Sequence, residues 1–407
     1  MVYKQYRSYC LAGESGFPAE AVPVSAPFAP LLLLRPAAPG TGRCLYPVES
    51  LAEVGQESPL ALVPPPDAPA GPLSDFVARH GAAVLNPAYP RCWELLESFQ
   101  QAPKTGLRVT LVGLGDVGGA VLTGLVLLGR EIDEIRIFDP NEAACRRYEL
   151  EMNQILSPEE GPMPRVRLCP REELFCCDLF LFTASRGVPP LGAGGDVRMQ
   201  QFQANRAMLR QYARLARQAK FRGLFCQISD PVDHLCRAVF LDSNRDETGR
   251  LDFLGLAPEQ IQGFGLGVMA ARARFCAREM GLPPEDIRVY GPHGAGLVAA
   301  NAPDAGYDSD ASAALTAATR DMNLRVRALG FKPYLAPASP PPPFPFCSCC
   351  GPGALRRGST GRRLFRLPEP HDPPGTANLP GALGGTAPRA DCRRLPGIGG
   401  LLRCMRL

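Results

Sequence analysis

The stretch IRVYGPHGAGLVAAN, residues 287–301, sets His293, one of four histidines in the chain, between Pro292 and Gly294 just past a strand-like run. Histidine is the side chain that ordinarily changes charge nearest neutral pH, so one held at a strand end is a candidate proton carrier. The plain alternative is a turn residue. A second chemical stretch is TLVGLGDVGGAVLTGLVLLG, where Gly113, Gly115 and Gly118 make G-x-G-x-x-G between a strand and a helix. Glycines there allow a tight turn and let the backbone approach a pyrophosphate, which the helix N-terminus holds through its free N–H groups and dipole. Asp139 ends the next strand, 21 residues after Gly118. A carboxylate at that point accepts hydrogen bonds from both hydroxyls of an adenosine ribose and repels a 2′-phosphate, which favours NAD over NADP. A glycine turn in an ordinary α/β domain, with a capping Asp, is the competing explanation.

The elements that must position these residues are read from periodicity. Residues 1–105 are rich in Pro and Ala, with a strand-like LALVP at 60–64 and a helix-like LSDFVARHG at 73–81. This predicts a small α/β or β-rich domain or extension whose role is not readable. Residues 106–337 alternate strand-like runs with amphipathic stretches. RVTLVGLG, EIRIFDP, DLFLFTAS, GLFCQISDP and IRVYGPHG are the strands, and VRMQQFQANRAMLRQYARLARQA is the longest helical pattern. That alternation predicts an α/β fold, a Rossmann-type parallel sheet with helices on both faces.

Composition narrows the class. The longest apolar runs, such as PLLLL at 30–34, fall far short of the roughly 20 residues a membrane span needs, so no membrane role is expected and the chain reads as cytoplasmic. Residues 340–407 carry 10 Arg and 3 acids, a net of +7, whereas the preceding 339 residues carry a net of −3. The high pI therefore comes from a basic tail and not from a binding face, and no nucleic-acid partner is expected. That tail, from about residue 338, holds the Pro, Arg, Gly and Cys but not the strand formers of a packed segment, and is read as disordered. Its abrupt onset resembles out-of-frame translation of a GC-rich gene. The 15 cysteines show no metal-ligand rhythm, CSCC at 347–350 included, so no metal is expected. Cys145, Cys176, Cys177, Cys226, Cys236 and Cys276 fall in patterns read as helix or strand interior, as reduced core thiols.

From Gly115 onward the sequence resembles the NAD-dependent L-lactate/malate dehydrogenases over about residues 106–337. The matching segments, in order, are GLGDVGGAV, FDPN, LFLFTAS for the family's strand ending T-A-G, QISDPVDHL for S-N-P-V-D, GFGLGVMAARAR, and YGPHGAG for G-x-H-G-D. The resemblance implies a Rossmann-type NAD-binding domain at 106–232 and an α/β catalytic domain at 233–337, incomplete if the tail is out of frame. It also implies hydride transfer between NAD(H) and a small 2-hydroxy or 2-oxo acid, and a homo-oligomer. Gly113, Gly115, Asp116, Val117, Gly118, Asp139, Thr183 and Ala184 fall at cofactor-binding positions. His293 falls on the acid/base histidine, and Arg272 on the arginine that clamps the substrate carboxylate through two parallel hydrogen bonds. Arg198 falls on the mobile-loop arginine that polarises the carbonyl, seven residues before Asn205 as in the family. Asp230 falls in the substrate pocket.

This chain departs from the family pattern in four places. Met269 stands where the family has the carboxylate that orients its histidine, three residues before the clamp arginine, and a thioether cannot do that task. Asp230 replaces a pocket asparagine, and is expected either to supply the relocated carboxylate for His293 or to repel an anionic substrate. Ser185 replaces the glycine of T-A-G, and the loop that follows, with Arg186 and Val188, is longer than usual, so neither a lactate-type nor a malate-type preference is readable. Ala295 replaces the acid after H-G. A noncatalytic NAD-binding or sensing protein derived from the family is the alternative function.

Overall fold

The structure, a computed structural model, describes residues 1–55, 70–100, 106–156, 162–186, 197–294, 296–303 and 306–333. Residues up to Pro103 belong to one compact unit, and the described residues from Lys104 onward to another. The strand expected at 60–64, Val188, Ala295 and the tail from 338 lie outside the described residues.

In the first unit, β1 (Val2–Tyr6) and β2 (Tyr9–Gly13) form an antiparallel hairpin. β3 (Val22–Pro23), β4 (Leu31–Leu34), β5 (Leu45–Val48), α1 (Pro72–His80), β6 (Ala82–Leu85) and α2 (Cys92–Gln100) follow. The sheet runs β3-β1-β2-β4-β6-β5, with β2, β4 and β6 mutually parallel. Unbroken apolar strands such as LLLL at 31–34 are buried on both faces, as a parallel sheet covered on two sides requires. Cys10, Leu31, Leu33 and Val84 pack with Val77 of α1 on one face, and the alternate residues Leu11, Leu32 and Leu85 are buried on the other.

The second unit begins β7 (Leu107–Val112), α3 (Asp116–Leu128), β8 (Ile132–Phe138), α4 (Glu142–Met152) and β9 (Arg165–Leu168). β10 (Leu179–Phe182), α5 (Val197–Gln218), β11 (Leu224–Gln227), α6 (Val232–Ser243) and β12 (Ile261–Gly263) form its other half. All six strands are parallel in the order β12-β11-β10-β7-β8-β9. Renumbered from β7, this is the doubly wound Rossmann order, in which right-handed crossovers put helices on both faces. β10 and β11 are wholly buried, and Phe180 stacks with Phe175 and packs tilted against Phe225 in the core.

α7 (Leu266–Glu279), β13 (Arg288–Tyr290), β14 (Val298–Ala300) and α8 (Ser309–Ala328) complete the unit. Ala273, Cys276 and Ala277 of α7 pack with Ile287, Ala299 and Leu315. The strand expected in IRVYGPHG is present, but it does not join the parallel sheet. It pairs antiparallel with β14 in a sheet of its own, because strand-and-helix alternation carries no information on pairing direction. A second correction concerns Cys176, which is exposed, with Cys177 and Cys236 only partly buried, whereas Cys145, Cys226 and Cys276 are core thiols. The apolar neighbours in LFCCDLF imitate a strand, yet β10 begins only at Leu179. No helix among the described residues is long and apolar enough to cross a membrane.

Candidate functional site

β7 and β10 are neighbours in the sheet whose connections leave in opposite directions, so a crevice opens at their carboxyl ends. Gly113, with φ 96°, leaves β7 in a conformation that a side chain rarely adopts, and a Cβ there would stand 2.5 Å from the Ala184 nitrogen. Gly118, buried in the first turn of α3, faces the Gly113 carbonyl so closely that any Cβ would collide with it. Gly115 caps α3 without a side chain, and nothing lies within 4 Å of the place its Cβ would take. The glycine loop is thus pinned on two sides and open on the third. The Asp116, Val117 and Gly118 N–H groups, in the first turn of α3, have no partner inside the helix.

Two side chains hold the loop. The Thr183 hydroxyl, at the end of β10, reaches the carbonyls of Gly113 at 2.7 Å and Val112 at 3.0 Å. The Asp139 carboxylate accepts from Leu114 N at 2.8 Å and Asn141 N at 2.9 Å, so it ties the loop to the end of β8. Each carboxylate oxygen keeps a second lone pair for another donor.

The second cluster surrounds His293. Its Nδ1 lies 3.7 Å from Asp230 Oδ1, with the imidazole side chain 16% exposed and the Asp230 side chain 50% exposed. Asp230 precedes a cis peptide to Pro231 at the start of α6. One turn on, the Asp233 carboxylate accepts from the His293 backbone N–H at 2.9 Å. Gly265, which caps α7, gives the imidazole its place: a Cβ there would sit 2.7 Å from His293 Nδ1. Arg272 lies on α7, where burial pulls its guanidinium below the ordinary value and the Asp230 charge pulls the other way. Met269 is buried with Leu266 and Leu297, and its sulfur lies 3.7 Å from an Arg272 nitrogen. His293, Asp230 and Arg272 are therefore brought together. Arg198 is the second residue of α5, and its side chain lies outside the described residues.

Two residues that the motifs do not single out join the clusters. Asn205, wholly buried on α5, accepts from Arg186 N at 2.8 Å and donates to the Asp230 carbonyl at 2.7 Å. Ser229 donates to the Ala184 carbonyl at 2.6 Å. The loops after β10 and β11 are joined by these bonds, with Ala184 beside Gly113 at one end and Asp230 beside His293 at the other. Asn205 enters the sequence reading only as a spacing marker, and Asp233 only as a letter in QISDPVDHL. No local pattern discloses a hydrogen bond across 60 residues of chain. Among the described residues no group of His, Cys, Asp and Glu is arranged to hold a metal ion.

A parallel doubly wound sheet with a glycine loop at its switch point defines a Rossmann-type α/β protein. No family model matches the chain. It is 25% identical over 191 residues to an L-lactate dehydrogenase of Mycoplasma pneumoniae, covering 46% of this chain and 56% of that protein. It is 27% identical over 194 residues to an L-lactate dehydrogenase of Geobacillus stearothermophilus, covering 46% and 55%. The chain spans about half the length of the curated relatives it matches. Among solved structures, the minor L-lactate dehydrogenase of Enterococcus mundtii is similar with a TM-score of 0.47 and 20% identity, covering 58% of this chain and 75% of that one. The malate dehydrogenase of Picrophilus torridus is similar with a TM-score of 0.44 and 18% identity, covering 57% and 72%. By its ordered motifs and these sequence relatives, the chain resembles the lactate/malate dehydrogenases as a divergent relative.

Proposed function

We propose that the unit from residue 106 binds NAD(H) and interconverts a 2-hydroxy and a 2-oxo carboxylic acid, with His293 as proton carrier and Asp230 as its carboxylate partner. The observation that carries this reading is the 3.7 Å approach of Asp230 to His293 Nδ1, beside the half-buried Arg272. The glycine loop fits a dinucleotide: the space at Gly115 and the N–H groups of the first turn of α3, which have no partner inside the helix, suit a pyrophosphate. Asp139, oriented by two backbone donors, has lone pairs left for ribose hydroxyls. Thr183 and Ala184 line the crevice. When bound, the cofactor supplies or removes hydride at the substrate's C2.

Arg272 is the group for the substrate carboxylate, since a guanidinium meets a carboxylate with two parallel N–H donors. With Nδ1 turned to Asp230, Nε2 of His293 is the nitrogen left to give a proton to the carbonyl oxygen as the carbonyl carbon accepts hydride. Reversal returns the proton to the imidazole. Asp230 stabilises the imidazolium in the oxidative direction and holds the ring orientation, the work that Met269 cannot do. Asp233 fixes the backbone of His293. Arg198 is assigned to carbonyl polarisation through its family position. A homo-oligomer is part of the same proposal.

A noncatalytic dinucleotide-binding protein is the second reading, and Met269 in its apolar setting with Leu266 and Leu297 is what favours it. The test is NADH fluorescence and absorbance on the purified chain as pyruvate, oxaloacetate and longer 2-oxo acids are added singly. Binding followed by consumption with one acid is the expected result. Binding without consumption by any acid would leave only the second reading.

A further inference from the structure

We infer that Lys332 is a further dinucleotide-binding residue, whose ammonium donates to the pyrophosphate at the first turn of α3. The inference rests on the dinucleotide reading above. The Lys332 ammonium lies 3.6 Å from Asp116 Oδ2, with 85% of the Lys332 side chain and 54% of the Asp116 side chain exposed. Asp116 is the first residue of α3, next to the open space at Gly115.

Two charge effects oppose one another there. The end of α3 attracts an anion, as helix N-termini do, while the Asp116 carboxylate repels one. A pyrophosphate brings two negative charges to the same turn, so the site as a dinucleotide cradle needs a cation against Asp116. Lys332 is placed to be that cation. An ammonium has three donors, and with one turned to Asp116 the others remain for phosphate oxygens. Asp116 then orients the lysine and does not simply oppose the ligand.

The route of the chain explains how a residue beyond α8 arrives at α3. Leu329 closes α8, and Gly330 follows with φ 84°, its N–H donating to the Arg327 carbonyl at 2.9 Å. A left-handed glycine just past a helix ends it and turns the chain aside, and Lys332 lies two residues on. Nothing in the glycine motif itself points to Lys332, because motif and lysine lie at opposite ends of the unit.

The experiment titrates NADH and ADP-ribose, which share the pyrophosphate, into the whole chain and into K332A, K332R and D116N/K332A variants. Both groups are exposed, so loss of the cation is expected to weaken NADH and ADP-ribose alike by about fivefold at low salt, with the difference shrinking as salt is raised. K332R is expected to stay near the parent, and D116N/K332A to recover most of the loss. Parent-like affinity of K332A for both ligands would overturn the inference and leave the dinucleotide reading standing. Weakening confined to NADH would move the lysine's action to the nicotinamide end and overturn the pyrophosphate assignment. If the parent chain binds neither ligand, the dinucleotide reading falls and this inference with it.

Discussion

Asp230 Oδ1 stands 3.7 Å from His293 Nδ1, although the two residues come from different halves of the unit, one at the start of α6 and the other after β13. A half-exposed carboxylate at that distance does different work under the two readings of its role. As partner, it stabilises the imidazolium; as an unshielded anion beside Arg272, it repels a substrate carboxylate. Asp230→Asn keeps the shape and removes the charge. The partner role predicts a fall in kcat of about 100-fold or more, with NADH affinity unchanged. A rise in oxo-acid turnover would assign Asp230 to charge discrimination instead.

Met269 gives the complementary prediction. It packs with Leu266 and Leu297, and its sulfur lies 3.7 Å from an Arg272 nitrogen. Met269→Leu is expected to leave turnover within about twofold and stability within ~1.5 kcal/mol, since the swap nearly conserves volume. Met269→Asp places a carboxylate among apolar groups beside Arg272, which then loses freedom to hold a substrate acid. The variant is expected to unfold at a lower temperature and to raise KM for the acid. Improved turnover in Met269→Asp would show that the site still accepts a carboxylate at the family's usual position.

The fold was legible where periodicity and spacing carry it. Four strands of the parallel sheet, the long helix α5 and the glycine turn stand out in the sequence, because apolar runs between turn signals record burial on both faces. β9 and β12 do not stand out: RVRL has one buried residue, and IQG is three residues long. Pairing direction is likewise silent, which is why β13 reads as another parallel strand. In the site, the types of His293, Arg272 and Asp230 are readable, but their approach is a property of the packed unit. Asn205 is the clearest case. Its amide joins Arg186 to Asp230 across two loops, and a lone Asn in a polar helical pattern gives no hint of it.

Asn205→Ala is therefore expected to cost more than a surface helix substitution. It removes both the acceptor of Arg186 N and the donor to the Asp230 carbonyl at a wholly buried position. Leaving two such groups unsatisfied costs about 2–4 kcal/mol, and the Asp230 loop loses its anchor. Thermal unfolding should register the first effect and kcat the second. A variant with parent-like unfolding and parent-like kcat would mean that these bonds do not hold the loop.

Gly115 separates ligand space from folding. Its φ of −72° suits any residue, and nothing lies within 4 Å of a Cβ placed there. Gly115→Ala should leave thermal unfolding nearly unchanged while weakening NADH by about tenfold, as the methyl enters the space facing the α3 N–H groups. Gly118→Ala should lose both, because its Cβ collides with the Gly113 carbonyl. Equal NADH affinity in the parent and Gly115→Ala would move the ligand away from this helix end.

Acid should loosen the frame of the site through Asp252. Arg217, near the end of α5, donates to both carboxylate oxygens of Asp252 at 2.7 Å and 2.5 Å and to the Ser243 carbonyl of α6 at 3.2 Å. The Arg217 hydrogen bond holds the Asp252 carboxyl below its ordinary value, against a smaller opposing effect of burial. A depressed carboxyl contributes stability that is present above the ordinary Asp pKa, about 4, and is lost as pH falls through the lower folded value. Asp252→Asn should therefore be less stable than the parent at pH 7 by about 1–3 kcal/mol, with the difference shrinking as pH falls below the ordinary Asp value and through the lower folded one. α5 carries Asn205 and α6 carries Asp233, so weakening this pair at low pH should reduce turnover in the parent before NADH binding fails. Equal stability of parent and variant at pH 7 would show that Arg217 and Asp252 do not join these helices.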